Sequence, residues 1–524
     1  MKQFEMFTYT LRGAEPKDDW VNVDLEGVFR EGEKETRVKG FYAGNGEYQV
    51  RYLPRYIGTC SFEIHGNIPL EETGEMGEIL LSQKEDVLEN PGRHGVVKAV
   101  ETHFEHEDGT VFLPFGTTVY AMIHQEKELL AQTLATLKDA PFNKIRFCVF
   151  PKDFCFNKNE PELFAFEKQG EKWNVKKPCM AFWEQLDQVM DELYQMDIEA
   201  DLILFHPYDK WGFMYLNGQE RLTYLSYLVR RLSAYPNLWW SLANEYDQMD
   251  GMEKKDWYQM SEFLAKEDAF SHLISNHNFV TPWDFADPFT THVCLQDSDA
   301  AEIPLLLKKY GKPVMYDEMG YEGNIPYNWG NLSAFEMVNR FWKTMTMGGY
   351  ATHGETYMEE MNDDQVLWWS KGGVLKGESA KRIAFLRELL EELPGLMTLY
   401  ESENGMKLES QEQLQQLIDQ GIPGISDNLV MKCMAKMNDD EFKHMQKFMR
   451  QPIIHCGDEA FLTYYGDMCT IYGELELPEN KTYRLEVIDV WEMTRTVVSS
   501  GVSGKAEAAL PGKPGIALLA VAEN

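Results

Sequence analysis

The sequence has no long hydrophobic run, since no stretch reaches the ~18 consecutive apolar residues typical of a membrane span. Its beginning, Met-Lys-Gln-Phe-Glu-Met-Phe-Thr, lacks the apolar core of a signal peptide. The 8 cysteines form no Cys-x-x-Cys pair, and several lie within apolar runs. We therefore expect a cytoplasmic protein with reduced cysteines and without a disulfide bond, a zinc site or a membrane anchor.

Basic side chains are scarce: 50 Lys and Arg stand against 85 Asp and Glu, which gives a formal net charge of -35. Nucleic acids and anionic membrane surfaces attract proteins through positive charge, so neither is an expected partner. A Gly-rich phosphate loop is also missing after the first strand of the central region. This absence disfavours the structural alternative, which is an open, doubly wound sheet that binds a dinucleotide.

The 524 residues exceed what one hydrophobic core can hold, and the pattern changes twice along the chain. Residues 1–110 show short alternating runs separated by turn clusters, which predicts an N-terminal β-sandwich. Residues 396–524 begin with polar helical stretches at 410–420 and about 439–450, and they continue with short strand-like runs. They predict a C-terminal domain that is partly helical and then β-sandwich-like.

Between these domains, residues 111–395 alternate strand-like runs with amphipathic helical stretches. In one such stretch Leu130, Leu134 and Leu137 share a helical face. Eight β-then-α units over roughly 280 residues match a (β/α)8 TIM barrel in number and size. The predicted strands are 117–123, 144–150, 200–205, 238–242, 273–275, 291–295, 313–316 and 349–352.

Polar and ionisable side chains collect where these strands begin or end. Enzymes with a TIM barrel build their sites at the carboxyl ends of the strands, so we expect these side chains to contact a substrate. The candidates for substrate binding are His124, Gln125, Arg146, His206, Asn244, His277, His292, Gln296, His353 and Glu355.

Two acids occupy facing positions at this rim, Glu245 after strand four and Glu318 after strand seven. Two carboxylates suffice to hydrolyse a glycosidic bond: one with a raised pKa protonates the leaving oxygen, and an ionised one attacks the anomeric carbon. Asn244 suits a hydrogen bond to a sugar hydroxyl beside the reacting centre. Asp317 and Glu322 flank the proposed nucleophile and could replace it, although strand alternation is expected to turn Asp317 to the opposite face.

The Asn-Glu pair after strand four and the Glu after strand seven resemble the clan A retaining glycoside hydrolases. Longer strings at 115–125, 239–247, 316–324 and 349–357 resemble bacterial proteins assigned as glycoside hydrolases, in which uncharacterised β-domains flank the barrel. The resemblance covers nearly the whole chain. It implies Glu245 as acid/base, Glu318 as nucleophile and Arg146 in place of the clan's strand-two arginine. Clan members often carry a tryptophan after strand eight, where this chain has His353-Gly-Glu355.

Catalysis by two carboxylates requires no metal and no other cofactor, and we expect none. A metal site of His353 and Glu355 with another rim histidine is the alternative, but no His-x-His follows strand one. A transglycosylase with the same residues and a non-catalytic carbohydrate-binding protein are the other candidate functions.

The connections at about 151–182, 206–219 and 354–378 are long for a TIM barrel. Together with the N-terminal β-domain, these connections are expected to close the sides of the cleft, so that it becomes a pocket. A pocket admits a chain end only, which predicts exo-action on a small oligosaccharide or glycoside. Arg146 or Lys152 could recognise a sugar carboxylate, although Arg146 better suits keeping the nucleophile ionised. The sugar, its anomeric configuration and homo-oligomerisation are left open.

Overall fold

The computed structural model describes residues 1–360, 367–400, 410–449 and 452–523. By its internal contacts the chain separates into two compact units. The first contains Met1–Ser298, Tyr310–Val338 and Tyr350–Ala384, and the second contains Asp299–Lys309, Asn339–Gly349 and Phe385–Asn524. Within the described residues, no helix combines the length and the apolar character needed to cross a membrane.

The N-terminal domain consists of three antiparallel sheets, and the first two share one core. Phe29 stacks on Tyr52 at 4.0 Å and on Phe62 at 5.1 Å between ring centroids, which joins strands of two sheets. The first sheet contains Phe7–Arg12, Glu47–Tyr52 and Phe41–Gly44, and the second contains Lys34–Lys39, Asp24–Glu31, Gly58–Pro69 and Met76–Val87. A third sheet contains Val97–Val100, His103–His106 and Val111–Phe112.

Eight parallel strands form the central barrel. In sheet order the strands run five, four, three, two, one, eight, seven, six. The amide of Thr291 donates to the carbonyl of Ile274 at 2.8 Å where strands five and six adjoin, so the predicted TIM barrel is confirmed. In chain order the strands are Phe115–Thr118, Lys144–Cys148, Glu199–Phe205, Leu238–Ala243, Leu273–Ser275, Val293–Gln296, Val314–Glu318 and Tyr350–His353.

Seven α-helices accompany these strands, and the described chain between strands five and six contains none. The first helix buries Leu130, Leu134 and Leu137, as the leucine spacing predicts. The helices are Lys127–Asp139, Met180–Gln195, Gly218–Leu232, Lys254–Glu267, Ile303–Tyr310, Ala334–Thr346 and Ser379–Glu391.

Strand one is shorter than predicted and begins earlier. Strand one ends at Thr118, and although the amide of Val119 still donates to the carbonyl of Arg146 on strand two, the amide of Tyr120 donates to the carbonyl of Trp369. The predicted strand end at His124 is therefore a 3-10 helix, Met122–His124.

The C-terminal domain has a helical part and a strand-rich part. Leu414, Ile425 and Phe442 form the core of the helical part, which contains the helices Gln411–Asp419, Leu429–Met434 and Asp439–Met449. Arg450, the predicted end of the last helix, lies outside the described residues.

Two sheets of the strand-rich part share the core around Phe461, Leu475 and Leu518. The larger contains Thr398–Leu399, Ile453–Cys456, Ala460–Tyr464, Ile516–Ala522, Tyr483–Asp489 and Thr494–Val502, and the smaller contains Tyr472–Glu476 and Lys505–Ala509. Strand-rich domains thus precede and follow the barrel. The domain boundaries at 110 and 395 stay a prediction.

A buried ion cluster attaches the N-terminal domain to the barrel. Arg51 binds both carboxylate oxygens of Asp187, on the second barrel helix, at 2.7 and 2.8 Å. Arg231 donates to the same carboxylate at 3.0 Å. Two guanidinium groups thus neutralise one acid at an interface from which water is excluded.

Replacing Arg51 by Met tests this attachment. We expect a loss of about 3 kcal/mol and a fall of several degrees in the melting temperature, since Arg231 still neutralises Asp187. Arg12→Met is the matched control, because Arg12 is 61% exposed in its pair with Glu47 and should matter little. Equal shifts for the two variants, measured by differential scanning calorimetry, would contradict the role of the cluster.

Candidate active site

Glu245 and Glu318 lie at the carboxyl ends of barrel strands four and seven. Both are buried, with 5% and 8% of their surface exposed. Glu245 adopts left-handed backbone angles, φ 57° and ψ 56°. A side chain other than glycine holds this conformation only where its surroundings compensate the strain, as functional sites commonly do.

Two tyrosines bind the two carboxylates. The hydroxyl of Tyr120 donates to Glu318 Oε1 and lies 3.0 Å from Asn244 Oδ1. The hydroxyl of Tyr208 donates to Glu245 Oε2. Tyr120 therefore connects Glu318, on strand seven, with the Asn-Glu pair that follows strand four.

Glu245 is suited to holding a proton near neutral pH. Burial and the neighbouring charge of Glu318 raise the pKa of Glu245 to about 7. Lys152 and the hydroxyl of Tyr208 act in the opposite direction without cancelling this effect. A raised pKa beside a second carboxylate is the property expected of a general acid.

A buried charge network fills the barrel beneath this pair. Lys144 Nζ lies 2.6 Å from Asp201 Oδ2 and 2.7 Å from Asp317 Oδ1. Arg146 Nη1 reaches to 3.8 Å from Glu318 Oε1. Burial opposes ionisation of Asp317, but Lys144 and Arg146 outweigh burial and hold its pKa well below the usual range.

The expectation that Asp317 faces away from the site is wrong. The register of strand seven shifts at this point, since Leu295 pairs with Tyr316 whereas Gln296 pairs with Glu318. Asp317 is the extra residue of this irregularity, so two successive acids reach the same side of the strand. Gln296 thereby lies beside Glu318, and its Oε1 is buried with no partner in the described part of the chain.

An aromatic cluster lines the mouth of the site. Trp369 contacts Tyr120 edge-to-face at 5.5 Å and Trp329 at 5.1 Å between ring centroids. It belongs to a π-helix, Leu367–Lys371, in the long connection after strand eight. Trp369 thus brings an aromatic ring to Tyr120 from beyond the motif His353-Gly-Glu355, and the pair Trp368-Trp369 was the sequence signal for it. Residues 361–366 of this connection lie outside the described residues.

Two of the predicted substrate contacts, His124 and His206, support the segment after strand two instead, and Gln125 supports the turn after strand one. His124 Nε2 donates to the carbonyl of Val149 at 3.1 Å, and His206 Nε2 donates to that of Phe150 at 3.1 Å. Burial lowers their pKa values to about 4 and about 3, respectively. Gln125 Nε2 donates to the carbonyl of Ala121 at 2.9 Å.

Two further histidines, His292 and His353, lie away from Glu245 and Glu318, contrary to the prediction that they contact the substrate. His292 precedes strand six and packs against Phe104 and Trp239, so it lies at the amino-terminal end of the barrel. His353 stacks on Phe142 at 4.8 Å. It alternates with Thr352, whose hydroxyl points inward to Asp317, so the imidazole faces outward.

His277 differs from these two histidines because it lies within the barrel. It is fully buried, and neither ring nitrogen has a partner in the described part of the protein. Burial and the nearby Arg146 lower its pKa well below the ordinary value.

Glu355 belongs to a carboxylate cluster with Glu322 and His353, which is the one group of three potential metal ligands found among the described residues. Glu355 accepts hydrogen bonds from the amides of Lys376 and Gly377, both at 2.8 Å. Glu322 accepts hydrogen bonds from the amides at 378 and 379 and from two hydroxyl groups. Glu322 and Glu355 thus bind the backbone of the connection after strand eight. Glu322 does not lie beside Glu245 and Glu318.

The protein-family comparison identifies the central region. Residues 99–396 match the model described as "Apiosidase-like, catalytic domain". The chain belongs to the apiosidase-like family. Residues 1–67 match a domain of unknown function, DUF5060, and residues 450–520 match another, DUF5605.

Solved structures agree with this assignment. A Bacteroides vulgatus ATCC 8482 protein with a provisional glycoside hydrolase name is 29% identical, with a TM-score of 0.82 over 100% of this chain and 99% of that chain. A family 5 glycoside hydrolase from the same organism shares 13% identity, with a TM-score of 0.58 over 82% of this chain and 94% of that chain. No curated protein matched. This apiosidase-like protein is a glycoside hydrolase with a TIM-barrel core.

The proton on Glu245 can be tested directly. We expect its carboxyl band in difference infrared spectra, identified by its loss in Glu245→Gln, to titrate near pH 7. Glu318→Gln should lower this pKa, because it removes the negative charge that disfavours ionisation of Glu245. An unchanged titration in Glu318→Gln would show that the two carboxylates are not coupled.

Proposed function

We propose that this protein is a retaining, exo-acting glycoside hydrolase, with Glu245 as acid/base and Glu318 as nucleophile. The observation that carries the proposal is the pairing of Glu245, whose pKa is raised to about 7, with Glu318. A protonated carboxyl group beside a carboxylate provides the proton donor and the nucleophile that glycoside hydrolysis needs.

In the first step Glu318 attacks the anomeric carbon while Glu245 donates its proton to the departing oxygen. The products of this step are a glycosyl ester on Glu318 and a free alcohol. In the second step Glu245, now ionised, takes a proton from water, and that water attacks the anomeric carbon and releases Glu318. Formation of the ester removes the negative charge that raises the pKa of Glu245, which favours its change from acid to base.

Neighbouring groups support these two roles. Tyr120 holds Glu318 through a hydrogen bond, and Arg146 places positive charge 3.8 Å from the same carboxylate oxygen. Asn244 Nδ2 is buried and has no partner among the residues that the structure describes, so it is available to a sugar hydroxyl. Gln296 and His277 offer further unpaired polar atoms within the described part of the site.

Exo-action is supported by the connections after strands two and three, which form one wall. Trp173 Nε1 donates to the carbonyl of Trp211 at 2.8 Å, and Trp211 Nε1 donates to Glu160 at 2.7 Å. The ring of Trp173 also stacks on Phe213 at 4.5 Å. Such a wall favours a pocket for a chain end over an open cleft.

Small glycosides are the proposed substrates, and the family description makes apiosides one class to test. A cytoplasmic location is also part of this proposal, and it is supported by the free state of all eight cysteines. Substrates that reach such a location would be imported oligosaccharides or simple glycosides.

Replacing each acid separates the two roles. Glu318→Ala should abolish turnover, because no covalent intermediate can form. Glu245→Ala should slow glycosides with poor leaving groups far more than activated aryl glycosides, which need little protonation. Azide should partly restore Glu245→Ala and yield a glycosyl azide of retained configuration. Equal losses on both leaving-group classes would contradict the assignment of Glu245.

The time course of products tests exo-action. Incubation with a long oligosaccharide that contains the preferred sugar should release monosaccharide from the first minutes onward. The measurement is chromatography of samples taken before about a tenth of the substrate is consumed. Early release of mid-length oligosaccharides would refute the pocket while leaving the roles of the two acids intact.

A further inference from the structure

Lys152 lies in the catalytic centre and has an uncommon environment for a lysine. Its side chain is buried, with 4% of the residue exposed. Four aromatic rings surround the ammonium. Its Nζ lies 3.4 Å from the ring centroid of Tyr120, 4.4 Å from Tyr208, 5.1 Å from Trp369 and 5.9 Å from Phe154.

The ammonium of Lys152 makes no hydrogen bond and no ion pair within 4.0 Å with any residue that the structure describes. By contrast, the buried Lys144 nearby binds two carboxylates at 2.6 and 2.7 Å. Aromatic faces stabilise a cation, but they accept none of its three N–H groups as an oxygen atom would. Lys152 therefore has donors for which the described residues supply no acceptor.

The backbone around Lys152 is held firmly. Asn157 Nδ2 donates to the carbonyl of Lys152 at 2.7 Å. The histidines His124 and His206 fix the carbonyls of Val149 and Phe150, three and two residues earlier. A buried cation on a supported segment is typical of a preorganised binding group.

The surrounding tyrosines place Lys152 between the two acids. Tyr120 donates its hydroxyl to Glu318, and Tyr208 donates its hydroxyl to Glu245. We propose that the ammonium of Lys152 binds the sugar that reacts between these acids, by donating hydrogen bonds to one or two of its oxygen atoms. This inference rests on the proposed function for the identity of the ligand as a sugar.

The chemistry shared by all ligands of this kind is an oxygen acceptor on the sugar next to the scissile bond. Neighbouring hydroxyl groups of a neutral sugar and the carboxylate of a uronic acid both supply it. Lys152 suits both kinds of ligand, because none of the described carboxylates forms an ion pair with it. Burial removes water from the ammonium and thereby lowers the pKa of Lys152. An oxygen atom of the sugar would offset this loss of water.

The test compares sugar binding by the wild-type protein, Lys152→Met and Lys210→Met. Met keeps the length of the side chain and packs well against aromatic rings, but it has no N–H donor. Lys210 is a matched control from the next connection, because it is 40% exposed and already paired with Asp153 and Glu160. Melting temperatures establish that each variant is folded.

Isothermal titration calorimetry with glucose, glucuronate, galactose, galacturonate and apiose provides the binding readout. Lys152→Met should weaken binding of the preferred sugar about 10- to 100-fold, and Lys210→Met should leave it unchanged. If the wild-type protein binds glucuronate or galacturonate more tightly than the corresponding neutral sugar, the acceptor is a carboxylate. If it binds the neutral sugar more tightly, the acceptors are hydroxyl groups. Both results support the proposal.

Unchanged affinity and unchanged KM in Lys152→Met, with only the pH profile displaced, would overturn the proposal and leave Lys152 as an electrostatic neighbour of Glu245. If sugar binding depends on Lys152 but the wild-type protein cleaves no aryl glycoside, the inference about Lys152 stands and the proposed function is refuted. Absence of binding by the wild-type protein to every sugar would refute both.

Discussion

The buried charge network inside the barrel is the constraint on which the catalytic centre depends. Lys144 and Arg146, on strand two, lie among Asp201 on strand three and Asp317 and Glu318 on strand seven. Removing one charge would leave its partners buried and uncompensated, which costs about 3–5 kcal/mol for a typical buried pair. The network therefore holds these strands together and determines the position of the Glu318 carboxylate.

Burial then gives the two facing carboxylates different properties. Glu318 has a guanidinium and a tyrosine hydroxyl close to one oxygen, whereas the described residues give Glu245 the more distant Lys152 and the hydroxyl of Tyr208. The left-handed backbone at Glu245 directs its carboxyl group into the same space. One acid is thus disposed to keep its proton, and the other is placed among positive charge.

The sequence predicted the barrel and the positions of Glu245, Glu318, Asn244 and Arg146, because parallel strands bring their carboxyl ends to one rim. It could not distinguish His292, at the amino end of a strand, from a residue at the rim. His353 was misplaced because the direction of a side chain depends on a strand register that sequence alone does not set. Tyr120 lay inside a predicted strand, which gave no sign of its contact with Glu318, and the place of Trp369 depends on the path of a long connection, for which periodicity gives no signal.

The identity of the nucleophile can be tested most directly by trapping the glycosyl ester. An activated 2-deoxy-2-fluoro glycoside of the preferred sugar slows the second step more than the first, so the intermediate accumulates. Mass spectrometry of the intact protein should show one added glycosyl group, and peptide mapping should locate it on Glu318. A label on Glu245 or Glu322, or turnover with inversion and no label, would contradict the account.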